Sequence, residues 1–523
     1  MTSSPISNTR KWGTFAVGCL IAIVPNLDLT ALHLAIPSLA RDLGPSATEI
    51  LWIADVYGFV LAGLLVTMGS LGDRIGHKRL MLTGMAAFAA ASALTAHAPT
   101  AELLIAARAL LGVAGATIMP SALALIRSAF TEPRQRTMAI GVFSGVGGLS
   151  VGLGPVLGGT VLDHFWWGAV FMINVPIMAV GFVVGLVLLP DVRAAVSGRL
   201  DLVSVPLSIA GVLGIVYAVK ESAAGGLAQP GVGVAALIGV AGLTLFIRRQ
   251  TRLSEPLIDV RLFRVAAFSG SVTTNLFAMF ALVAQSLILA QYFQLVLGWS
   301  PLRSGLAGLP GALSAMVGGA ALAPPLISAL GRARVVALGL ALSTAGFSLF
   351  VLAGTDTGYP VLLLAMIPNG LGMGMALTVT ADTILASVPR DRTGAASAIA
   401  ETAAELGGAL GMAVLGSILM AAYRGGLVLP AGLPTGAGAA AEDSLAGALG
   451  VAASLPAGLA EQVAGAARNA FVDGMHVALV CSAALAAVVA VAALFTLRGV
   501  PKVIPEGIGD EPEHGDLVSV ARQ

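Results

Sequence analysis

Gly69-Ser-Leu-Gly-Asp-Arg-Ile-Gly-His-Lys-Arg79 is a short charged break between two apolar runs, 51–72 before it and 80–97 after it. Each run approaches or exceeds the roughly 20 residues with which an α-helix crosses the hydrocarbon of a bilayer. The break therefore reads as a tight basic turn between two membrane helices. The same alternation continues in both directions. Charged or Pro/Gly-rich breaks mark out fourteen runs, near 13–37, 51–72, 80–97, 102–126, 138–161, 166–189, 202–219, 231–247, 267–293, 304–326, 335–353, 359–381, 394–421 and 474–497. Backbone groups in lipid must find partners within their own segment, so these runs are helices. The expected fold class is an all-α membrane protein with fourteen transmembrane helices.

Composition agrees. Of the 523 residues 57% are hydrophobic and 11% charged, with mean hydropathy +0.93, where a soluble chain carries about 25% charged residues. Water cannot be the solvent for most of this surface. A net charge of +1 says nothing about partners, and no nucleic-acid partner is expected. Cys19 and Cys481 lie in separate apolar runs, so no disulfide framework and no metal site is expected. The first run follows Arg10 and Lys11 as a signal peptide would, but it is too long, carries Asp28 and precedes many further spans. It reads as a retained first helix.

Lys and Arg fix the expected orientation. With the N-terminus in the cytoplasm, 22 of the 28 basic residues fall on the cytoplasmic side. Only Arg41, Lys220, Arg303, Arg424 and Arg468 fall outside, and Arg108 lies within a span. This asymmetry places both termini in the cytoplasm. The chain also repeats itself. Gly76-His-Lys-Arg79 with Gly84 matches Gly331-Arg-Ala-Arg334 with Gly339, and Pro133-Arg-Gln-Arg-Thr137 matches Pro389-Arg-Asp-Arg-Thr393. The offsets are 255 and 256 residues. The expected organisation is a six-helix half over 1–192, two inserted helices with a basic linker over 193–265, and a second six-helix half over 266–500. The second half contains a long outer loop, 423–473, and a cytoplasmic tail follows over 501–523. Halves related in this way enclose a midplane site and rock about it.

Ionisable residues inside a membrane are costly and mark function. Asp28 lies in span 1, Asp55 in the outer part of span 2, and Glu401 and Glu405 in span 13. Arg108 in span 4 is the one embedded base. Four acids against one base favour cations and protons over anions. Glu401 and Glu405 are four residues apart and share a helix face, and two such carboxylates resist ionising together. An acid of that kind can load a proton on one side and release it on the other. Asp28 meets a cation, carries a proton or hydrogen-bonds within the bundle; Asp55 serves recognition or caps the outer interface. Arg108 is a proton relay or a structural ion pair. His33 reads as a packing histidine and Asp382 as structural.

The break itself, with Gly69, Asp73, Arg74, Gly76 and Arg79, suits a charged latch between the halves. Span 5 is dense in glycine, and Gly154, Pro155, Gly158 and Gly159 suit a moving hinge. Trp52, Tyr57, Met119, Phe143, Phe277 and Met373 are available to line a greasy cavity. The stretch 424–473 reads as a lid or a passive connector.

These segments resemble a known family. Gly69–Arg79 resembles the loop after helix 2 of the major facilitator superfamily, Leu104–Ala116 its Arg-bearing helix 4, and Ser150–Gly159 the antiporter motif of helix 5. Leu27–Pro37 resembles helix 1 of its fourteen-span drug:proton antiporters. Leu51–Tyr57 and Glu401–Glu405 are most similar to segments of exporters of quaternary ammonium compounds and cationic dyes. The resemblance implies that Asp28, Asp55, Glu401 and Glu405 serve proton coupling or cation recognition, with Arg108 as the helix-4 arginine. Two departures stand out. His33 replaces a usual Asn, and span 10 around Leu313 lacks the further acid of some relatives, which argues against divalent cations.

The expected function is proton-coupled efflux of lipophilic cations across a bacterial inner membrane, by a monomer that needs lipid but no cofactor. Export of a self-made antibiotic or metabolite by the same fold is the alternative. There is no HExxH and no P-loop, so no enzyme is expected.

Overall fold

A computed structural model describes residues 7–502 except 46, 163, 192–200, 202, 226–228, 254–255, 257–259, 389–391, 432 and 435. Of His33 and Pro155 it describes the backbone alone, and Arg193, Arg199, Arg390 and the tail beyond 502 lie outside the described residues. Among the described residues the regular structure is entirely helical. The helices are α1 (Asn8–Leu43), α2 (Ala47–Ile75), α3 (His77–Ala96), α4 (Ala101–Ala129), α5 (Pro133–Leu162), α6 (Ala169–Leu188), α7 (Ser204–Gly225) and α8 (Pro230–Gln250). After them come α9 (Ala266–Val296), α10 (Pro301–Leu330), α11 (Arg332–Leu349), α12 (Tyr359–Ala386), α13 (Thr393–Gly426), the short α14 (Ala437–Asp443) and α15 (Leu445–Ala453), and α16 (Ala457–Thr496).

Among the described residues, fourteen long helices stand where the apolar runs lie. Eleven of them are long and apolar enough over their described residues to cross a membrane.

The repeat is structural. Adding 255 residues carries α2 onto α10, α3 onto α11 and, within a few residues, α1 onto α9 and α4 onto α12. The turns it equates share a backbone conformation, because Gly76 and Gly331 have φ of 97° and 85°. A side chain at either position would be strained.

The halves meet along two pairs of helices, α2 against α13 and α5 against α10, and the repeat exchanges these pairs. Small residues set the approach. A Cβ on Gly69 would lie 2.3 Å from the Gly394 carbonyl oxygen, and one on Gly141 would lie 2.5 Å from the backbone of Gly319. Gly319 sits in a π-helical turn, Gly318–Leu322, that interrupts α10 where α5 and α12 press on it. Such turns widen a helix locally and recur where function needs an irregular wall. The inserted helices pack on each other, and α7 also lies on both α2 and α13. Arg249 donates to Asp201 at 2.6 and 2.9 Å and Gln250 donates to the Ser204 hydroxyl at 2.7 Å, tying the end of α8 to the start of α7.

The segment 424–473 is more ordered than a loop. α13 runs on to Gly426, α16 begins at Ala457, and α14 and α15 lie between. Tyr423 donates to the Ala441 carbonyl at 2.7 Å, and Leu445, Ala448 and Ala452 are buried. Small, weakly periodic residues concealed these helices in the sequence. Neither Cys19 nor Cys481 is in a disulfide.

Candidate functional site

Asp28, in α1, is buried and accepts hydrogen bonds from two helices. Arg108 Nη1 of α4 donates at 3.2 Å and Asn174 Nδ2 of α6 at 2.9 Å. Arg108 is itself fully buried, its Nε donating to the Ile53 carbonyl of α2, with the rings of Tyr57 and Phe171 5.6 and 5.8 Å from its guanidinium. Four helices of one half thus converge on one ion pair. Of the two roles open to Arg108 in the sequence, the geometry has it in an ion pair, and Asp28 is not an unmatched charge. Asn174 was not legible as a site residue; its one signal is that it is an amide between apolar residues of a span.

Some capacity is left over. Among the described residues Arg108 Nη2, Asn174 Oδ1 and the Tyr57 hydroxyl are buried without a hydrogen-bond partner. Buried polar groups are nearly always satisfied, so these three atoms hold hydrogen-bonding capacity that the contacts of the ion pair do not use.

Glu401 and Glu405 stand on the α13 face that also carries Gly394 and Ala398, which touch Gly69 of α2. Glu401 is half-buried and Glu405 exposed, and the neighbouring charge that acts on Glu401 is that of Glu405. Both the Asp28 and the Glu405 carboxylates act electrostatically on the Tyr57 hydroxyl. Tyr57 is therefore within electrostatic reach of an acid of each half. Asp55 is half-buried on α2, one turn before Phe59.

At the end of the bundle that carries the basic turns, polar contacts among the described residues join the halves. Asp73 accepts from the backbone N–H groups of Gly394 and Ala395 at 2.7 and 2.9 Å, at the N-terminus of α13, and from His77 at 2.9 Å. A carboxylate there satisfies two orphan donors and the helix dipole together. Arg127 of α4 donates to Thr393 and to the Val388 carbonyl. Arg136 of α5 pairs with Asp382 of α12 at 2.7 Å, and Arg332 of α11 holds the other carboxylate oxygen at 2.7 Å. Asp382, read as structural, is thus a buried bridge between halves.

The turn contributes unequally. Gly69 supplies the close approach and Gly76 the turn, and Arg74 is half-buried. Arg79 is exposed. In α5, Gly154 and Gly158 are buried, while a Cβ on Gly159 would touch nothing within 4 Å. Tight glycine contacts of α5 are also found at Gly141 and Gly145. Phe143 and Tyr57 are buried in the core of the first half with Met119 packed against it, Met373 is buried in that of the second, and Phe277 packs against a third cluster, while Trp52 is 43% exposed.

Residues 18–412 match the Major Facilitator Superfamily. The chain belongs to that family. Its members are membrane transporters rather than enzymes, and this multi-pass helical protein is one of them. It is 44% identical over 449 residues to the multidrug efflux pump LfrA of Mycolicibacterium smegmatis, covering 85% of this chain and 88% of LfrA. It is 39% identical over 453 residues to the methyl viologen resistance protein SmvA of Salmonella typhimurium, covering 85% and 90%. A tetracenomycin C resistance and export protein of Streptomyces glaucescens is 34% identical over 420 residues, covering 80% and 77%. Among solved structures, the human organic anion transporter MFSD10 superimposes with a TM-score of 0.58 over 92% of this chain and 99% of that one. At 15% identity that likeness concerns the fold alone.

Proposed function

We propose that this major facilitator protein is a proton-coupled multidrug exporter that expels lipophilic cations across the bacterial cytoplasmic membrane by alternating access. One observation carries the reading: Glu401 and Glu405 stand together on the α13 face turned to the opposite half, and the charge acting on Glu401 is another negative one. Such a pair holds a proton or a cation, and the two compete for it. Its relatives include a multidrug efflux pump and a methyl viologen resistance protein.

In this mechanism both termini are cytoplasmic and the basic end is the inner gate. Protons load Glu401 and Glu405 from outside, and a proton reaching Asp28 frees Arg108 from its partner. The contacts of Asp73, Arg127 and Asp382 then part, the cavity opens inward, protons leave and a cation enters. The hinge lies in α5 about Gly154, Pro155, Gly158 and Gly159, and Asp55 recognises cations near the outer mouth. Residues 1–192 and 266–500 move as the two bodies of a monomer, with 193–265 as the insert.

Export of a self-made antibiotic is the second reading, favoured by likeness to the tetracenomycin C exporter; a gene inside a biosynthetic cluster would select it. The test is ethidium efflux from intact cells with and without a pH gradient, for wild type, Asp28→Asn, Glu401→Gln and Glu405→Gln. Gradient-driven efflux by wild type and its loss in the variants are expected. Wild-type efflux in all three variants would overturn the assignment.

A further inference from the structure

We propose that the inserted helix α7 forms one wall of a second cation subsite, where Trp52, Phe59 and Tyr217 present aromatic rings to a lipophilic cation held between Asp55 and Glu405. The proposal rests on the cation-export reading and adds a recognition role for the insert.

Three helices of different origin meet here. α7 packs on α2, which carries Asp55, and on α13, which carries Glu405. Trp52, Asp55 and Phe59 are spaced by three and four residues, so they share one face of α2. That face looks onto α7 and α13: Phe59, Val212, Val216 and Ala409 are buried in one cluster, with Tyr217 and Leu406 packed against it. The rings form a continuous line. Trp52 and Phe59 lie 6.2 Å apart at 75°, and Phe59 and Tyr217 lie 6.2 Å apart at 55°. Along α13, Glu405 is exposed although Thr402 and Ala409, on either side, are buried. The indole of Trp52 is likewise 43% exposed at the head of the line.

The depth is consistent on both helices. Phe59 lies sixteen residues from the basic end of α2 and Ala409 sixteen from that of α13, or roughly 24 Å at 1.5 Å per residue. Phe59 and Ala409 therefore lie near the middle of their helices, and Trp52 about two turns further from the basic end. Aromatic faces attract cations, most strongly where water is excluded, and the two carboxylates supply the charge. Six and six helices alone would leave this side of α2 and α13 to lipid; the insert covers it with a tyrosine.

The test uses the purified full-length protein in nanodiscs, with ethidium as the probe. Binding is read by fluorescence, and transport by KM and maximal rate in proteoliposomes. Tyr217→Phe keeps the ring and is expected to stay within about twofold of wild type. Tyr217→Leu, Tyr217→Met and Trp52→Leu are expected to bind about three- to tenfold more weakly, with KM raised and maximal rate kept. Unchanged affinity in Tyr217→Leu and Tyr217→Met would overturn the subsite. So would equal loss in Tyr217→Phe, or a falling rate at unchanged affinity, either of which makes Tyr217 a packing residue. A wild-type protein that binds no ethidium would remove the cation-export reading itself, and the subsite with it.

Discussion

Arg108 and Arg332 are the largest fully buried side chains of the described residues, and the charge of Arg108 is tolerable only because Asp28 and the Ile53 carbonyl face it. Removing one member of a buried pair strands the other and costs about 3–5 kcal/mol. Arg108→Ala should therefore lower the unfolding free energy by about that much, and Asp28→Asn added to it should restore part of the loss. A double-mutant cycle followed by thermal unfolding in detergent checks this; additive losses would mean the two side chains are not coupled. Tyr57 belongs to the same scale. Its hydroxyl is buried without a partner among the described residues and feels both Asp28 and Glu405. Tyr57→Phe should leave ethidium binding within about twofold, since the ring beside Arg108 remains, while slowing gradient-driven exchange if the hydroxyl passes protons. Binding and counterflow measured on the same preparation separate the two effects.

At the scale of elements, α2 and α13 touch backbone to backbone at Gly69 and Gly394. Gly69→Ala puts a methyl group where a carbonyl oxygen stands, so it should force the basic ends apart. Cysteine labelling there should rise severalfold while the helices stay folded. The insert has its own fastening. Hydrogen bonds from Arg249 hold the Asp201 carboxyl well below the usual carboxylate range. Its contribution to stability is therefore full above that range and declines as pH falls below it. Asp201→Asn should lower the melting temperature slightly at pH 7, and the gap to wild type should close in acid.

Much of this level was legible in the chain. The matched turns at Gly76 and Gly331 encode the repeat because both need a positive φ and both carry basic residues. The pairing of Arg136 with Asp382 was not legible, because each looks like an ordinary charge at a helix end. A signal did exist: Arg127 and Asp382 lie 255 residues apart, the same place in the repeat with opposite charge. Partners such as Asp28 and Arg108 lie 80 residues apart, and helix periodicity fixes neither the rotation nor the depth that brings them together.

For the whole molecule, the basic end is tied by Asp73 on the α13 N-terminus, by Arg127 on the chain leading into it, and by Asp382 between Arg136 and Arg332. These ties share one mechanical job, so breaking one should bias the resting state without abolishing the fold. Asp382→Asn should shift spin-label distances between the halves toward the state open at that end, and Asp73→Asn should do the same more weakly, since an amide keeps one of the two oxygens that accept from Gly394 and Ala395.

The account's central claim is that protons and cations contend for the same carboxylates. The most direct test adds ethidium to the purified protein in a weakly buffered solution and follows the released protons with an indicator dye. Wild type should release protons as ethidium saturates it, and Glu401→Gln and Glu405→Gln should release markedly fewer. Ethidium binding to wild type with no proton release across pH 6–8 would contradict the claim.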